Sequence, residues 1–217
     1  METALHGSLS MSGQLLIVDY GMGNLWSVQS ALRYLGRDPV VSSDPAQVAA
    51  ADTLILPGVG SFHKAMDALH AQELTEALAE AVLGRRRKIL GICLGMQLLA
   101  EKGTEDGECQ GLGLIPGSVD RFTREELGLL KVPHIGFNHV SATQQNRLFK
   151  GIASPADFYF VHSYRLLAAD LPGEPGLCRY GVEFLAAYEH ENIFATQFHP
   201  EKSQTNGLKL LNNFLAC

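Results

Sequence analysis

Three apolar runs, each broken at a glycine-rich turn, constrain this chain more than any other feature. Leu15-Leu16-Ile17-Val18-Asp19-Tyr20 ends in Gly21-Met22-Gly23-Asn24, Thr53-Leu54-Ile55-Leu56 ends in Pro57-Gly58-Val59-Gly60, and Lys88-Ile89-Leu90-Gly91-Ile92 runs into Cys93-Leu94-Gly95. A strand that is apolar at consecutive positions is buried on both faces, as in a parallel sheet covered by helices. The segments after these turns fit that arrangement. Asn24 is a suitable N-cap for a helix reaching Leu35 and closed by Gly36. Residues 61–83 carry Ala and Leu at helical spacing, and a further helix is predicted from Leu94 to Lys102. With a short strand at Pro39–Ser42, the alternation predicts an α/β fold with a doubly wound, mostly parallel central sheet flanked by helices. The second half changes character: residues 111–123, 131–141, 157–167, 178–189 and 192–198 read as strands joined by turns. They predict an antiparallel extension of the sheet, followed by a closing helix over Gln204–Ala216 whose Leu208, Leu211, Phe214 and Leu215 share one stripe.

Size and charge narrow the function classes. The 217 residues, 46% of them hydrophobic, suffice for one large core, since a chain of roughly 200 residues buries about 70% of its unfolded surface. Residues 14–217 are read as one domain, preceded by a disordered tail over 1–13 that lacks the basic and apolar regions of a signal peptide. A net charge of -6 gives no footprint for a phosphate backbone, so no nucleic-acid partner is expected, and the run Arg85-Arg86-Arg87-Lys88 reads as a solvated helix end. No apolar run is long enough to cross a bilayer. The four cysteines form no CxxC pair or zinc-like set and read as free thiols of a reducing, cytoplasmic compartment. His134 and His139 lack partners at ligand spacing, so neither metal nor cofactor is expected.

The chemistry concentrates at two places. In Gly91-Ile92-Cys93-Leu94-Gly95 a nucleophile stands between a buried strand and a helix, with glycine two positions to either side. A turn this tight excludes flanking side chains and leaves the nucleophile exposed at the C-terminal edge of the sheet, where the helix N-terminus favours a thiolate. Near the end of the chain, Phe198-His199-Pro200-Glu201 follows the strand Ile193–Gln197. Residues two apart in extended backbone point the same way, about 6.6 Å apart, so His199 and Glu201 are expected to face one site. A cysteine nucleophile needs a base to take and return a proton, and the base needs a carboxylate to fix its tautomer. Cys93, His199 and Glu201 supply those roles. The Pro57–Gly60 loop shares the same sheet edge, and its backbone N–H groups, with that of Leu94, suit an oxyanion hole.

With these elements in place, the chain resembles the class I glutamine amidotransferases, and within that class the glutaminase subunits of imidazole glycerol phosphate synthase. The resemblance rests on Asp19–Leu25, Pro57–Phe62, Gly91–Leu98, Pro133–Asn138, Phe160–Arg165 and Ala195–Gln204. It implies hydrolysis of L-glutamine through a Cys93 thioester and passage of the ammonia to a separate (β/α)8-barrel cyclase subunit in a heterodimer. There imidazole glycerol phosphate and an aminoimidazole carboxamide ribotide are made, in histidine biosynthesis. The resemblance also implies that Gln97 holds the amino-acid end of the substrate, with Gly58 and the backbone at Ser163-Tyr164 completing the pocket. The Gly58-Val59 peptide turns its N–H toward the oxyanion, linked in this family to nucleotide bound on the partner. Asn24, Asn138, Tyr159 and Lys202 are placed at the docking face and ammonia exit. Phe137 stands where Trp is expected, and Trp26 where a smaller or basic residue is more usual. His162 is read as a hydrogen-bonded strand histidine and not as a second base. The triad alone leaves open a different amidotransferase, a free-standing γ-glutamyl hydrolase or a non-catalytic regulatory subunit.

Overall fold

The computed structural model describes residues 13–217; residues 1–12, nearly all of the expected tail, lie outside the described residues. In chain order the elements are β1 (Leu15–Val18), α1 (Leu25–Tyr34), β2 (Val40–Ser42), α2 (Pro45–Ala50), β3 (Thr53–Gly58), α3 (Phe62–Ala71), α4 (Leu74–Ala79), β4 (Lys88–Cys93), α5 (Leu94–Leu98), β5 (Ala100–Gly103), β6 (Cys109–Gln110) and β7 (Ile115–Arg121). Then follow α6 (Arg124–Leu127), β8 (His134–Ala142), β9 (Ala156–His162), β10 (Tyr164–Leu167), β11 (Glu174–Tyr180), β12 (Val182–His190), β13 (Ile193–Thr196) and α7 (Gln204–Ala216).

Nine strands form one sheet in the order β2-β1-β3-β4-β13-β12-β11-β8-β9. From β2 to β13 every pair is parallel, and from β13 to β9 every pair is antiparallel, so the parallel half and its antiparallel extension meet at β13. The continuous apolar runs are explained by what lies on either side. Leu16, Val18, Leu54 and Leu56 pack into one core layer with Phe62, Met66 and Leu78 of α3 and α4. Ile17, Ile55, Leu90 and Ile92, the alternate residues, pack into a second layer with Val28 and Leu32 of α1 and Leu210, Leu211 and Phe214 of α7. Each fully buried aliphatic side chain contributes about 1.5–3 kcal/mol, and strands sandwiched between helices collect that gain at every position.

Several local expectations are corrected. The helix predicted from Leu94 to Lys102 stops at Leu98, and the chain turns into β5, which pairs with β7 and β6 in a second sheet of order β10-β7-β5-β6. Two predicted strands each prove to be two: 157–167 divides into β9 of the large sheet and β10 of the small one, with Ser163 at the corner, and 178–189 spans the end of β11 and most of β12, which turn back on each other at Gly181. The helical segment 61–83 is not continuous but contains α3, α4 and a π-helical turn at Glu80–Gly84.

Candidate active site

Cys93 ends β4 with φ 55° and ψ -108°, a backbone conformation that costs an L residue roughly 1–3 kcal/mol. The glycines around it are there for space. A Cβ on Gly95 would sit 1.7 Å from the Leu56 carbonyl oxygen, and one on Gly91 would meet the Gly95-Met96 backbone at 2.8 Å. The parallel register sets Cys93 beside Gly58 of β3. Among the described residues the sulfur receives Gln197 Nε2 at 3.8 Å and approaches the Val161 carbonyl oxygen at 3.9 Å, both long contacts.

His199 and Glu201 meet across a different local structure from the extended one expected. Pro200–Lys202 forms a single 3-10 turn capped by His199, and that turn brings Glu201 Oε1 to 2.8 Å from His199 Nδ1. Both side chains are almost wholly buried. The turn is pinned by Ser203, whose hydroxyl donates to the His199 carbonyl at 2.6 Å and accepts from the Tyr159 N–H at 2.9 Å. His199 Nε2 is buried and, among the described residues, has no hydrogen-bond partner of ordinary geometry. Burial opposes a charged ring, but interaction with Cys93 and with Glu201 outweighs it and pushes the His199 pKa up to about 10.

A cleft of about 270 Å³ opens over the cysteine, walled by Val59, Gly60, Leu94, Gln97, Ser163 and Tyr164 among others. Gly58 lies beneath it, buried, with no room for a side chain. Gln97 is buried, and its amide donates to the Tyr164 carbonyl and to Gln197 Oε1, each at 3.0 Å. Glu105, which no sequence pattern singled out, is the one carboxylate lining this cleft among the described residues. It accepts from the Phe62 N–H at 2.9 Å, and burial raises its pKa.

The residues assigned to the docking face divide. Asn24 is exposed and caps α1, its side chain accepting from the Ser27 N–H at 3.3 Å. Lys202 is exposed beside the His199 turn, and Tyr159 packs edge-on against Phe137 with ring centroids 5.5 Å apart. Asn138 is half-buried in β8. It alternates with Phe137 along β8, and its amide is spent on His134, the Arg179 carbonyl and the His139 N–H. His162 has both ring nitrogens hydrogen-bonded. Among the described residues no group of three or more His, Cys, Asp or Glu is arranged to hold a metal ion, and no helix is long and apolar enough to cross a membrane.

A cysteine at a strained strand-to-helix turn, beside a carboxylate-bound histidine at the edge of a parallel sheet, defines a class of enzyme, and the family described as glutamine amidotransferase class-I matches residues 16–217. The chain belongs to the class I glutamine amidotransferase family. Its relatives include the imidazole glycerol phosphate synthase subunit HisH 1 of Campylobacter jejuni subsp. jejuni serotype O:23/36 (strain 81-176), 47% identical over 92% of this chain and 98% of the relative. The imidazole glycerol phosphate synthase subunit HisH of Moorella thermoacetica is 46% identical over 92% of this chain and 93% of the relative. Among solved structures, PurLQS from Thermotoga maritima shares the fold with a TM-score of 0.72 at 16% identity, covering 94% of this chain and 98% of that one.

Proposed function

We propose that this chain is the glutaminase subunit of an imidazole glycerol phosphate synthase, with residues 14–217 acting as one amidotransferase domain in the cytoplasm. The glutaminase reading is carried by Cys93 standing at its strained turn beside the buried His199–Glu201 pair. The synthase reading is supported by the shared naming of relatives that this chain matches along nearly their whole length.

In this reading the Cys93 sulfur attacks the γ-carbonyl of glutamine. His199, held by Glu201 through Nδ1, uses Nε2 to carry the proton between the sulfur and the leaving nitrogen, which departs as ammonia. The resulting thioester is opened by water, with His199 now accepting the water proton, and glutamate and the free thiol are restored. The N–H groups of Val59 and Leu94 stabilise the oxyanion at each tetrahedral stage, and the former must be turned toward it by rotation of the Gly58-Val59 peptide. Gln97, Ser163 and Tyr164 hold the amino-acid end over the floor made by Gly58. Glu105 suits the α-ammonium, since a partly buried carboxylate in the cleft gains most from a cationic partner.

Ammonia made here reaches a (β/α)8-barrel cyclase subunit docked over Asn24, Tyr159 and Lys202, where it is used to form imidazole glycerol phosphate and the aminoimidazole carboxamide ribotide. The test is Cys93→Ala in the assembled pair. Glutamine-dependent cyclisation should disappear while cyclisation from added ammonium salt persists. Equal loss of both would make Cys93 structural, and full glutaminase activity of the isolated chain would remove the partner-linked turn of the Gly58-Val59 peptide.

A further inference from the structure

The Tyr164 carbonyl, one wall of the cleft, accepts from Gln97 Nε2 at 3.0 Å and is approached by His162 Nδ1 at 2.8 Å. A backbone carbonyl can only accept, so His162 must carry its proton on Nδ1 and present a bare Nε2. That nitrogen lies 3.0 Å from His134 Nδ1, which therefore donates to it. His134 Nε2 is then an acceptor, and Asn138 Nδ2 supplies its hydrogen from 3.3 Å. The far end is fixed independently: Asn138 Nδ2 also donates to the Arg179 carbonyl at 3.1 Å, and its oxygen accepts from the His139 N–H at 2.8 Å, so the amide has one possible orientation. Starting from either backbone anchor, every hydrogen in the chain from Asn138 through His134 and His162 to Tyr164 runs the same way. Burial lowers both imidazoles, His134 to about 4 and His162 to about 3, so neither ring gains a second proton near neutrality.

The consequence falls on Gln97. Both hydrogens of its amide are committed, one to the Tyr164 carbonyl and one to Gln197 Oε1, and its own Oε1 has no hydrogen-bond partner among the described residues. The cleft therefore meets an acceptor at Gln97, on the same wall system that carries the Glu105 carboxylate.

We propose that His134 and His162 are positioning residues for glutamine, locked as neutral Nδ1–H tautomers so that the Tyr164 carbonyl stays in place and Gln97 turns its oxygen, and not its NH2, toward the substrate's α-ammonium. The proposal rests on the glutaminase reading. His134 lies outside the cleft, and His162, which borders it, has both ring nitrogens engaged and is left no free one for a reacting atom. Their effect passes through one carbonyl and one amide.

The decisive variant is His134→Phe, which keeps the stacking on Phe160 and Tyr180 (centroids 4.7 and 3.9 Å apart) but removes the donor to His162 Nε2. In the complex with the cyclase, KM for glutamine should rise about threefold to tenfold with kcat within twofold, the scale set by one lost hydrogen bond. His134→Gln, whose amide again offers a donor, should recover at least half of that loss. In parallel, 15N spectra of the unmodified chain at pH 7 should show both histidines as Nδ1–H tautomers, a measurement that does not depend on the variants folding. An Nε2–H tautomer at His162, or an unchanged KM in an active His134→Phe complex, would overturn the positioning role while leaving the glutaminase reading intact. A wild-type complex that does not hydrolyse glutamine would overturn both.

Discussion

The Tyr20 hydroxyl donates to the Pro57 carbonyl at 2.9 Å and occupies the space that a Cβ on Gly58 would need, 2.2 Å away. Tyr20 follows β1, whereas Pro57 and Gly58 end the adjacent parallel strand β3, so the turn after β1 holds the C-terminal end of β3. Burial, reinforced by the proximity of Cys93, raises the Tyr20 pKa strongly and keeps the hydroxyl protonated as a donor. In the proposed mechanism the peptide that turns toward the oxyanion begins one residue after Pro57, at Gly58, and Tyr20 would supply the fixed point against which it turns. Tyr20→Phe keeps the ring and removes one buried hydrogen bond, a loss of about 1 kcal/mol. We expect partner-stimulated kcat to fall about threefold to tenfold with KM for glutamine unchanged, as read from steady-state glutaminase kinetics on the complex.

Gly95 of the elbow and Gly21 of the turn after β1 separate two reasons for glycine in one chain. Gly95→Ala would drive its Cβ to 1.7 Å from the Leu56 carbonyl oxygen and 2.8 Å from its carbon, strand backbone that cannot yield. Gly21→Ala meets nothing within 4 Å and is strained only by φ +85°. Urea unfolding should show Gly21→Ala destabilised by about 1–2 kcal/mol and Gly95→Ala by more than about 3 kcal/mol. Similar losses at the two positions would mean that conformation, and not close approach, explains the elbow.

The elbow was visible in the sequence and much else was not, and the difference lies in range. The elbow, the Asn24 cap and the His-Pro-Glu pair are local: they need only a few consecutive residues to be recognised. Even there the reason differed, since a 3-10 turn and not extended backbone carries Glu201 to His199. The helix after Cys93 was overestimated because Leu98, Leu99 and Ala100 continue an apolar helical pattern, whereas pairing of Ala100 with Ile115 draws the chain into β5. That preference belongs to the partner strand and not to the segment. Glu105 was missed for the same reason: Thr104-Glu105-Asp106-Gly107 reads as a turn, and only the second sheet, with its contact to Phe62, carries that turn to the cleft.

Strain at Cys93 predicts a cost that the chain bears for placing its buried sulfur at the floor of the cleft. Alanine keeps the Cβ that makes φ 55° unfavourable, whereas glycine relieves it. Cys93→Gly should therefore unfold at a higher temperature than Cys93→Ala, with about 1 kcal/mol between them and no glutaminase activity in either. Paired melting curves at one pH check this, and a glycine variant less stable than the alanine variant would show the backbone to be unstrained.

The raised His199 pKa gives a signed pH dependence. Burial alone would lower it, but interaction with Cys93 and Glu201 wins, so the folded chain holds a proton that the unfolded chain releases near pH 6.5. The resulting stabilisation is complete below about pH 6.5 and is lost as pH rises toward about 10. Melting temperature should fall across that window by several degrees more in the wild type than in His199→Gln. Parallel curves for the two proteins would mean that the ring is neutral in the folded state.

Docking should depend on the end of α1 nearest the site and not on the rest of that helix. Trp26 lies in its first turn, 74% exposed, close after the turn that holds the Pro57–Gly60 loop. Tyr34 lies at its last residue, 79% exposed, eight residues further and about 12 Å along the axis, toward the opposite edge of the sheet. Both are large exposed aromatics, so composition does not distinguish them, but position does. A helix that follows a parallel strand runs back from its C-terminal edge, which leaves Trp26 at the edge of the sheet that carries the cleft and Tyr34 remote from that edge. Neither truncation should change the stability of the isolated chain by more than about 0.5 kcal/mol. In titration calorimetry with the barrel cyclase, Trp26→Ala should weaken binding about thirtyfold, the effect of losing a central aromatic anchor of about 2 kcal/mol, while Tyr34→Ala should bind as the wild type does. Equal effects from the two would place the partner along the whole helix and detach docking from the loop that makes the oxyanion hole.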